Sequence, residues 1–321
     1  MTEQPIPRRL REAAMRSTDR LRPLSDAGLR TRFGAPGHME IDIGQVWRAR
    51  WDKIVVLMLV VGVADRQVEV VPVTIDPPIE DGSCLVVTGE STAFGVDATA
   101  WAGLGTAVPI RVLDRLIDAW QAGVVGAVVA ARRGRPWVAD ALVRPGREIT
   151  SELDPDVLFR AELADQVDAL ADVPSLPAQE ETGPQPPTLA ELLGDRLELG
   201  ALCSALGMKQ SAVMNLLRGK LPLQPAQVAL VAEATGLSVD AIMTTLLPLP
   251  HGLAAEAEHP RWRPTWTRRA QQFHVSEAEA QVSGSYGAFA LAARQTGGGE
   301  PDWNERLRHY LQRSSDGPDG I

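Results

Sequence analysis

The stretch PSLPAQEETGPQPP, residues 174–187, most limits what this chain can become. Proline, glutamate and glutamine leave it too little apolar surface to bury, and so many prolines forbid a helix or a central strand. It reads as a linker with a domain boundary in it, so the rest of the chain must form its cores on either side. The apolar pattern also changes there. Before the break, strand-like alternation and short β-branched runs dominate. After it, nearly every stretch has helical spacing.

Between residues 39 and 146 the pattern predicts a small, strongly curved sheet. GQVWRARW alternates, KIVVLMLVVGV is continuously apolar as in a strand buried on both faces, and RQVEVVPVTID alternates again, with Gly62–Gln67 as a hairpin connection. SCLVVTG and GTAVPIRV add two short strands, and RVLDRLIDAW (Arg111–Trp120) reads as an amphipathic helix. Residues 1–38 form an arginine-rich arm with one short helix expected over Arg8–Arg22. Residues 147–187 hold one acidic helix, with Asp154 as N-cap and Pro155 at its first position, and then the linker. Residues 248–321 are expected to hold two or three helices and a frayed tail.

Charge divides the same way. The chain carries −9 overall, yet residues 147–187 alone hold 10 acidic against 2 basic residues, while 1–38 hold 8 basic against 4 acidic. Such a balance excludes a protein that coats nucleic acid indiscriminately, but not a compact nucleic-acid module. The longest apolar run, IVVLMLVVGV, is ten residues, too short to span a bilayer as a helix. The two cysteines, Cys84 and Cys203, have no metal-ligand spacing, and the five histidines are scattered without HExxH. No metal or cofactor is expected, and the compartment is expected to be the cytoplasm.

From 188 to 247 the sequence is punctuated as a five-helix bundle. Thr188 caps TLAELLGDRL, whose Leu189, Leu192, Leu193 and Leu197 fall on one face. LGALCSALG closes on Gly207, suited to the left-handed position that ends a helix, and a third helix follows at once. A helix, a tight glycine turn and a helix make the helix-turn-helix pattern. LQPAQVALVAEATG and LSVDAIMTTLL, capped by Ser238, supply two more helices.

LGALCSALGMKQSAVMNLLRGK followed by LPLQPAQVALVAEATGLSVDAI resembles the lambda-repressor/Cro (XRE) type of helix-turn-helix domain in order, spacing and punctuation, over about sixty of the 321 residues. The basic residue and Gly-Lys that end the recognition helix match Arg218-Gly219-Lys220. The sequence departs from that family at Lys209, where Ser or Thr usually caps the recognition helix, and at Leu199-Gly200, where a polar residue usually opens the helix before it. The resemblance implies a bacterial, dimeric regulator of transcription that binds double-stranded DNA through a recognition helix over about 208–218. Val213, Leu216 and Leu217 should face the core. Lys209, Gln210, Ser211, Asn215 and Arg218 should face outward, with Arg218 and Lys220 placed for phosphates. The alternative is that these are solvated positions of a bundle that has lost DNA binding and serves protein interaction.

GQVWRARW, VVLMLVVG and VEVVPVTID together are similar to the SH3-like barrel of MazF/PemK-type toxins, which are sequence-specific endoribonucleases. Thr74 matches the family's Thr/Ser that acts at the scissile phosphate, but the loop carrying the other catalytic group is reduced here to WDK. The resemblance implies a toxin–antitoxin-like fusion as a second alternative, or a barrel that binds a protein partner or dimerises. HPRWRPTWTRR, with Trp262 and Trp266 among arginines, fits either base stacking or anchoring of subdomains, the latter favoured. Taken together, the expected fold is α+β and multidomain, with a small N-terminal β-barrel-like domain, a central helix-turn-helix domain and a helical C-terminal region.

Overall fold

The structure, a computed structural model, describes residues 26–34, 40–75, 79–149, 151, 154–179, 186–293 and 301–313. The helix expected over Arg8–Arg22, the Gly297–Gly299 run and the tail from 314 lie outside the described residues. The chain is α+β and divides into two compact units, Met1–Ser175 and Leu176–Ile321.

The first unit is built on one antiparallel sheet of eight strands: β1 (Gln45–Trp51), β2 (Ile54–Val63), β3 (Gln67–Thr74), β4 (Leu85–Val87), β5 (Ala98–Ala100), β6 (Thr106–Pro109), β7 (Leu113–Ala119) and β8 (Val143–Pro145). Their order is β7-β1-β2-β3-β5-β4-β8. β3 takes two partners on its far side, β6 along residues 67–70 and β5 along residues 73–74. β6 then passes through the single turn Ile110–Val112 into β7, which returns to pair with β1.

The continuous apolar run of β2 follows from burial on both faces. Val56, Met58 and Val60 point into a core with Trp47, Val68, Val70 and Trp101. Leu59 and Val61 point into another with Val46, Val71, Val73 and Leu85. Each core has its own helical cover. The helix Ala122–Arg132 adds Val124, Val125 and Val128 to the second core, and Pro155–Ala171 adds Leu163, Val167 and Leu170 to the first. Numbering helices in chain order, α1 is Asp26–Phe33 and these two are α2 and α3. The caps expected for α3 are in place: the Asp154 side chain accepts from the Asp156 N–H, and Pro155 sits at the first position. α1 lies within the basic arm yet is docked, with Leu29 packed on Phe94 and Ile117 and Arg32 bonded to the buried Asp118 at 2.9 Å.

Arg111–Trp120 is not the helix its spacing suggests; it is the turn 110–112 followed by β7. Pairing with β1 slips twice, between Val46 and Trp47 and between Arg48 and Ala49, so Ile117 and Asp114 are extra residues in bulges. Two bulges shift the alternation so that Leu113, Leu116 and Ile117 stand at helical spacing along a strand. The extra Asp114 has a use there. Its carboxylate takes both Nε and Nη2 of Arg48, at 2.8 and 2.7 Å, and Arg50 at 3.2 Å.

The second unit is helical: α4 (Leu189–Leu193), α5 (Leu199–Leu206), α6 (Gln210–Leu217), α7 (Pro225–Thr235), α8 (Val239–Met243), α9 (His251–Glu258), α10 (Arg263–Phe273), α11 (Glu277–Ala292) and α12 (Trp303–Arg313). α4 to α8 enclose one core of Leu189, Leu193, Leu202, Val213, Leu216, Leu217, Val228, Val231 and Ile242, joined by Ala290 of α11. α9 to α12 enclose another around Leu253, Trp262, Trp266, Tyr286 and Leu307. Leu176, the one large apolar residue of the proline-rich stretch, is buried in this second core, and residues 177–179 run beside Leu249.

Leu197 differs from the pattern expected of it, while Trp262 and Trp266 follow the favoured one of their two expected roles. Leu197 is exposed, because α4 stops at Leu193 and a single 3₁₀ turn, Gly194–Arg196, swings the chain off the apolar face. Trp262 and Trp266 stand inside the unit and present no stacking face. The Trp266 indole donates to the Ala257 carbonyl at 3.0 Å, and the Trp262 indole donates to the Glu256 carboxylate at 2.6 Å. Of the neighbouring arginines, Arg263 is buried against Glu277 and Arg269 lies over the rings of Phe273 and Tyr310.

Candidate nucleic-acid interface

α6 is held by punctuation at both ends. At the close of α5, Gly207 adopts φ 63°, ψ 24°, its N–H bonded to the Ser204 carbonyl and that of Met208 to the Cys203 carbonyl. This is the Schellman arrangement, which satisfies the last carbonyls of a helix and reverses the chain in one step. α6 ends the same way: Gly219, at φ 68°, bonds to Leu216, and Lys220 bonds to Asn215. The Arg-Gly-Lys at 218–220 is therefore a helix stop with a cation on each side of the reversing glycine.

Between these stops, α6 turns Val213, Leu216 and Leu217 fully into the core, with Met214 and Ala212 half-buried. Its other face is exposed and polar. Ser211, Asn215 and Arg218 follow at spacings of four and three, a single stripe along the helix. Gln210 flanks the stripe, Lys209 stands at its start and Lys220 just past its end. Among the described residues none of these six side chains has a hydrogen-bond or ion-pair partner. The five residues expected to face outward are exposed, and so is Lys220.

Lys209 occupies the N-cap with extended backbone (φ −65°, ψ 148°), its carbonyl accepting from Ala212 and Val213. An ammonium has no lone pair to offer, so it leaves the first N–H groups of α6 uncapped and adds a cation to the positive end of the helix dipole. Glu198 at the start of α5 makes no side-chain cap either, whereas the other three helices of this bundle are capped. Thr188 and Glu191 form a reciprocal capping box at α4, Ser238 caps α8, and Gln224 with Gln227 forms a box at α7.

Gln227 has a second role that its sequence neighbours do not signal. Its Nε2 donates to the Met208 sulfur at 3.5 Å, bracing the α5–α6 turn against the first turn of α7. The Gln-Pro-Ala-Gln spacing announces the capping box, but the contact across the turn depends on how the helices pack.

In the first unit, the β1–β2 connection is a two-residue turn, Asp52–Lys53, with Asp52 at φ 50° and Trp51 paired to Ile54. Thr74 ends β3 opposite Thr99, and its hydroxyl accepts the Trp101 indole N–H at 3.0 Å. Among the described residues, Thr74 makes no hydrogen bond with Asp52 or Lys53 of that turn.

The chain matches no family model, and no curated protein matches it.

Proposed function

We propose that this protein binds double-stranded DNA sequence-specifically as a homodimer and regulates transcription, α6 being the helix placed in the major groove and α5 the helix that supports it. The reading rests on one observation: α6 carries Lys209, Gln210, Ser211, Asn215 and Arg218 on an exposed, unpartnered face, with Lys220 beside its end, while its opposite face is locked into the core. At about 1.5 Å per residue, the eight residues of α6 run to about 12 Å, close to the width of the groove. A lysine as N-cap lowers helix stability on its own, and a phosphate at that point would reverse the penalty; local choices that cost stability gather at functional positions.

In this reading the fold is finer than α+β. α4 to α8 form a lambda-repressor/Cro type of module. β1, β2, β3, β6 and β7 form a small SH3-like barrel that serves dimerisation or a protein partner rather than catalysis. A dimer would present two α6 helices to half-sites one helical turn apart, about 34 Å.

The test is recovery of bound fragments from the genomic DNA of the source organism at two salt concentrations, using the full chain with Asn215→Ala and Arg218→Ala beside it. A discrete palindromic site weakened by both substitutions is expected. Lys209, Arg218 and Lys220 offer about six phosphate contacts per dimer, so log affinity should fall against log salt with a slope of about −5. Absence of any specific fragment, with the variants indistinguishable from the parent protein, overturns the proposal.

A further inference from the structure

We propose that the second unit binds a small organic acid, a carboxylate on a compact apolar body, in the cavity between α11 and α12. The cavity measures about 470 Å³, within the range that takes small ligands. Its two walls differ in kind. α11 lines it with Ala288, Leu291 and Ala292, whereas α12 turns Glu305, Arg308 and His309 toward it.

Helix phase causes the difference. α12 buries Leu307 and Leu311, four residues apart, in the core, so Glu305, Arg308 and His309 lie on its other side and stay exposed. α11 packs into both cores of the unit, Ala288 in one and Ala290 in the other. A helix buried on so many sides carries apolar residues nearly all round, and the wall it gives the cavity is apolar too. A ligand seated against Ala288, Leu291 and Ala292 therefore also braces the helix that carries Ala290 into the core of α4 to α8.

Charge selects the ligand. Arg306 and Arg308 both line the cavity, with Glu305 as the one carboxylate among the described lining residues. Arg308 donates from Nη2 to the neutral Asn304 side chain at 2.7 Å, and the Arg306 guanidinium lies over the Trp303 ring, 5.5 Å from its centre. Among the described residues neither arginine has an ion-pair partner, and Arg308 keeps further N–H donors to offer. A guanidinium can hold a carboxylate through two parallel N–H bonds, and the His309 ring adds another polar contact. Opposite them, the alanine and leucine wall has no side-chain donor for a hydroxyl or a second anionic group. A ligand anionic at one end and apolar at the other satisfies both walls.

The experiment is saturation-transfer NMR of the full-length protein with butanoate, benzoate, phenylacetate and 4-phenylbutanoate, each titrated beside its primary amide. Arg308→Gln and Glu305→Gln are run in parallel, with Arg268→Gln, exposed on α10 and outside the cavity, as the control for net charge. All three side chains are exposed, and circular dichroism checks each variant. At least one acid should bind with a Kd of about 1 mM or tighter, and its amide about tenfold more weakly or worse. Arg308→Gln should weaken that acid by at least about tenfold, as loss of a charge-assisted hydrogen bond does. Glu305→Gln should tighten it by about 2- to 5-fold, because a like charge is removed. Arg268→Gln should match the parent protein.

Binding by none of the acids overturns the proposal, and so does equal binding of the amides. Arg308→Gln indistinguishable from the parent, Glu305→Gln binding no more tightly than it, or Arg268→Gln as weak as Arg308→Gln does the same. No DNA is present in the assay, so failure here leaves the DNA-binding reading standing.

Discussion

Gly219→Ala tests the closure of α6 directly. Gly219 holds φ 68°, and a methyl group added there would meet only the Thr188 Cγ2 at 3.7 Å, an ordinary contact. Steric crowding therefore contributes nothing, and the cost is conformational. An alanine forced into the left-handed region costs about 1–2 kcal/mol, against which the lowered entropy of the unfolded chain returns roughly 0.4–1 kcal/mol. A net loss of about 1 kcal/mol is expected, or about 2–4 °C in the melting of the second unit. Gly126→Ala is the matched control. Gly126 is exposed inside α2, its added methyl meets nothing within 4 Å, and its φ is not positive, so the same chemical change should stabilise by up to about 1 kcal/mol. Calorimetry of the two variants against the parent protein reads both signs. If Gly219→Ala melts at or above the parent temperature, the left-handed Gly219 and the Lys220–Asn215 closure built on it are wrong.

Gly284→Ala should destabilise the second unit by about 1–3 kcal/mol despite alanine's better helix propensity, because its methyl would meet the Trp266 ring at 2.5 Å where α11 packs on α10; denaturant titration reads it. Trp266→Ala, in the same contact, should cost about 3–5 kcal/mol by that measurement. Acid should weaken the first unit through Asp81. Burial pushes this carboxyl up, but hydrogen bonds from Ser83 and Cys84 and the nearby Arg160 outweigh it and hold the folded value below the usual one. A depressed carboxylate contributes its stability above the unfolded value, about 3.9, and loses it as pH falls through the lower folded one. Unfolding followed by tryptophan fluorescence from pH 6 to 2 should thus show a fall below about pH 4 that Asp81→Asn flattens, and an unchanged profile in the variant would refute the assignment.

Much of the helical half is legible in the sequence because its signals are local. A cap joins residues three apart, and a left-handed glycine needs no distant partner. So Asp154-Pro155, Thr188, Gly207 and Ser238 mark helix ends correctly before any tertiary contact is considered. The phase of the apolar positions then determines which side of α6 is buried, and with it that Ser211, Asn215 and Arg218 face out. The two-faced burial of β2 is equally visible, since a continuous β-branched run fits little else.

What the sequence could not determine depends on partners far along the chain. β7 looks helical because its two bulges exist only in its pairing with β1, and nothing within residues 111–120 records where that register slips. Leu197 lies in phase with Leu189 and Leu193, yet a three-residue turn carries it into solvent. HPRWRPTWTRR reads as a nucleic-acid surface or, in preference, as an anchor between subdomains; the closure of α9, α10 and α11 around the indoles, and the carbonyl and carboxylate that accept their N–H groups, decide that Trp262 and Trp266 stand inside. By itself, the sequence determines helix ends and helix faces, because those follow from bond geometry over a few residues. Tertiary structure decides strand register and the burial of amphipathic aromatics, because those follow from which distant atoms arrive opposite them.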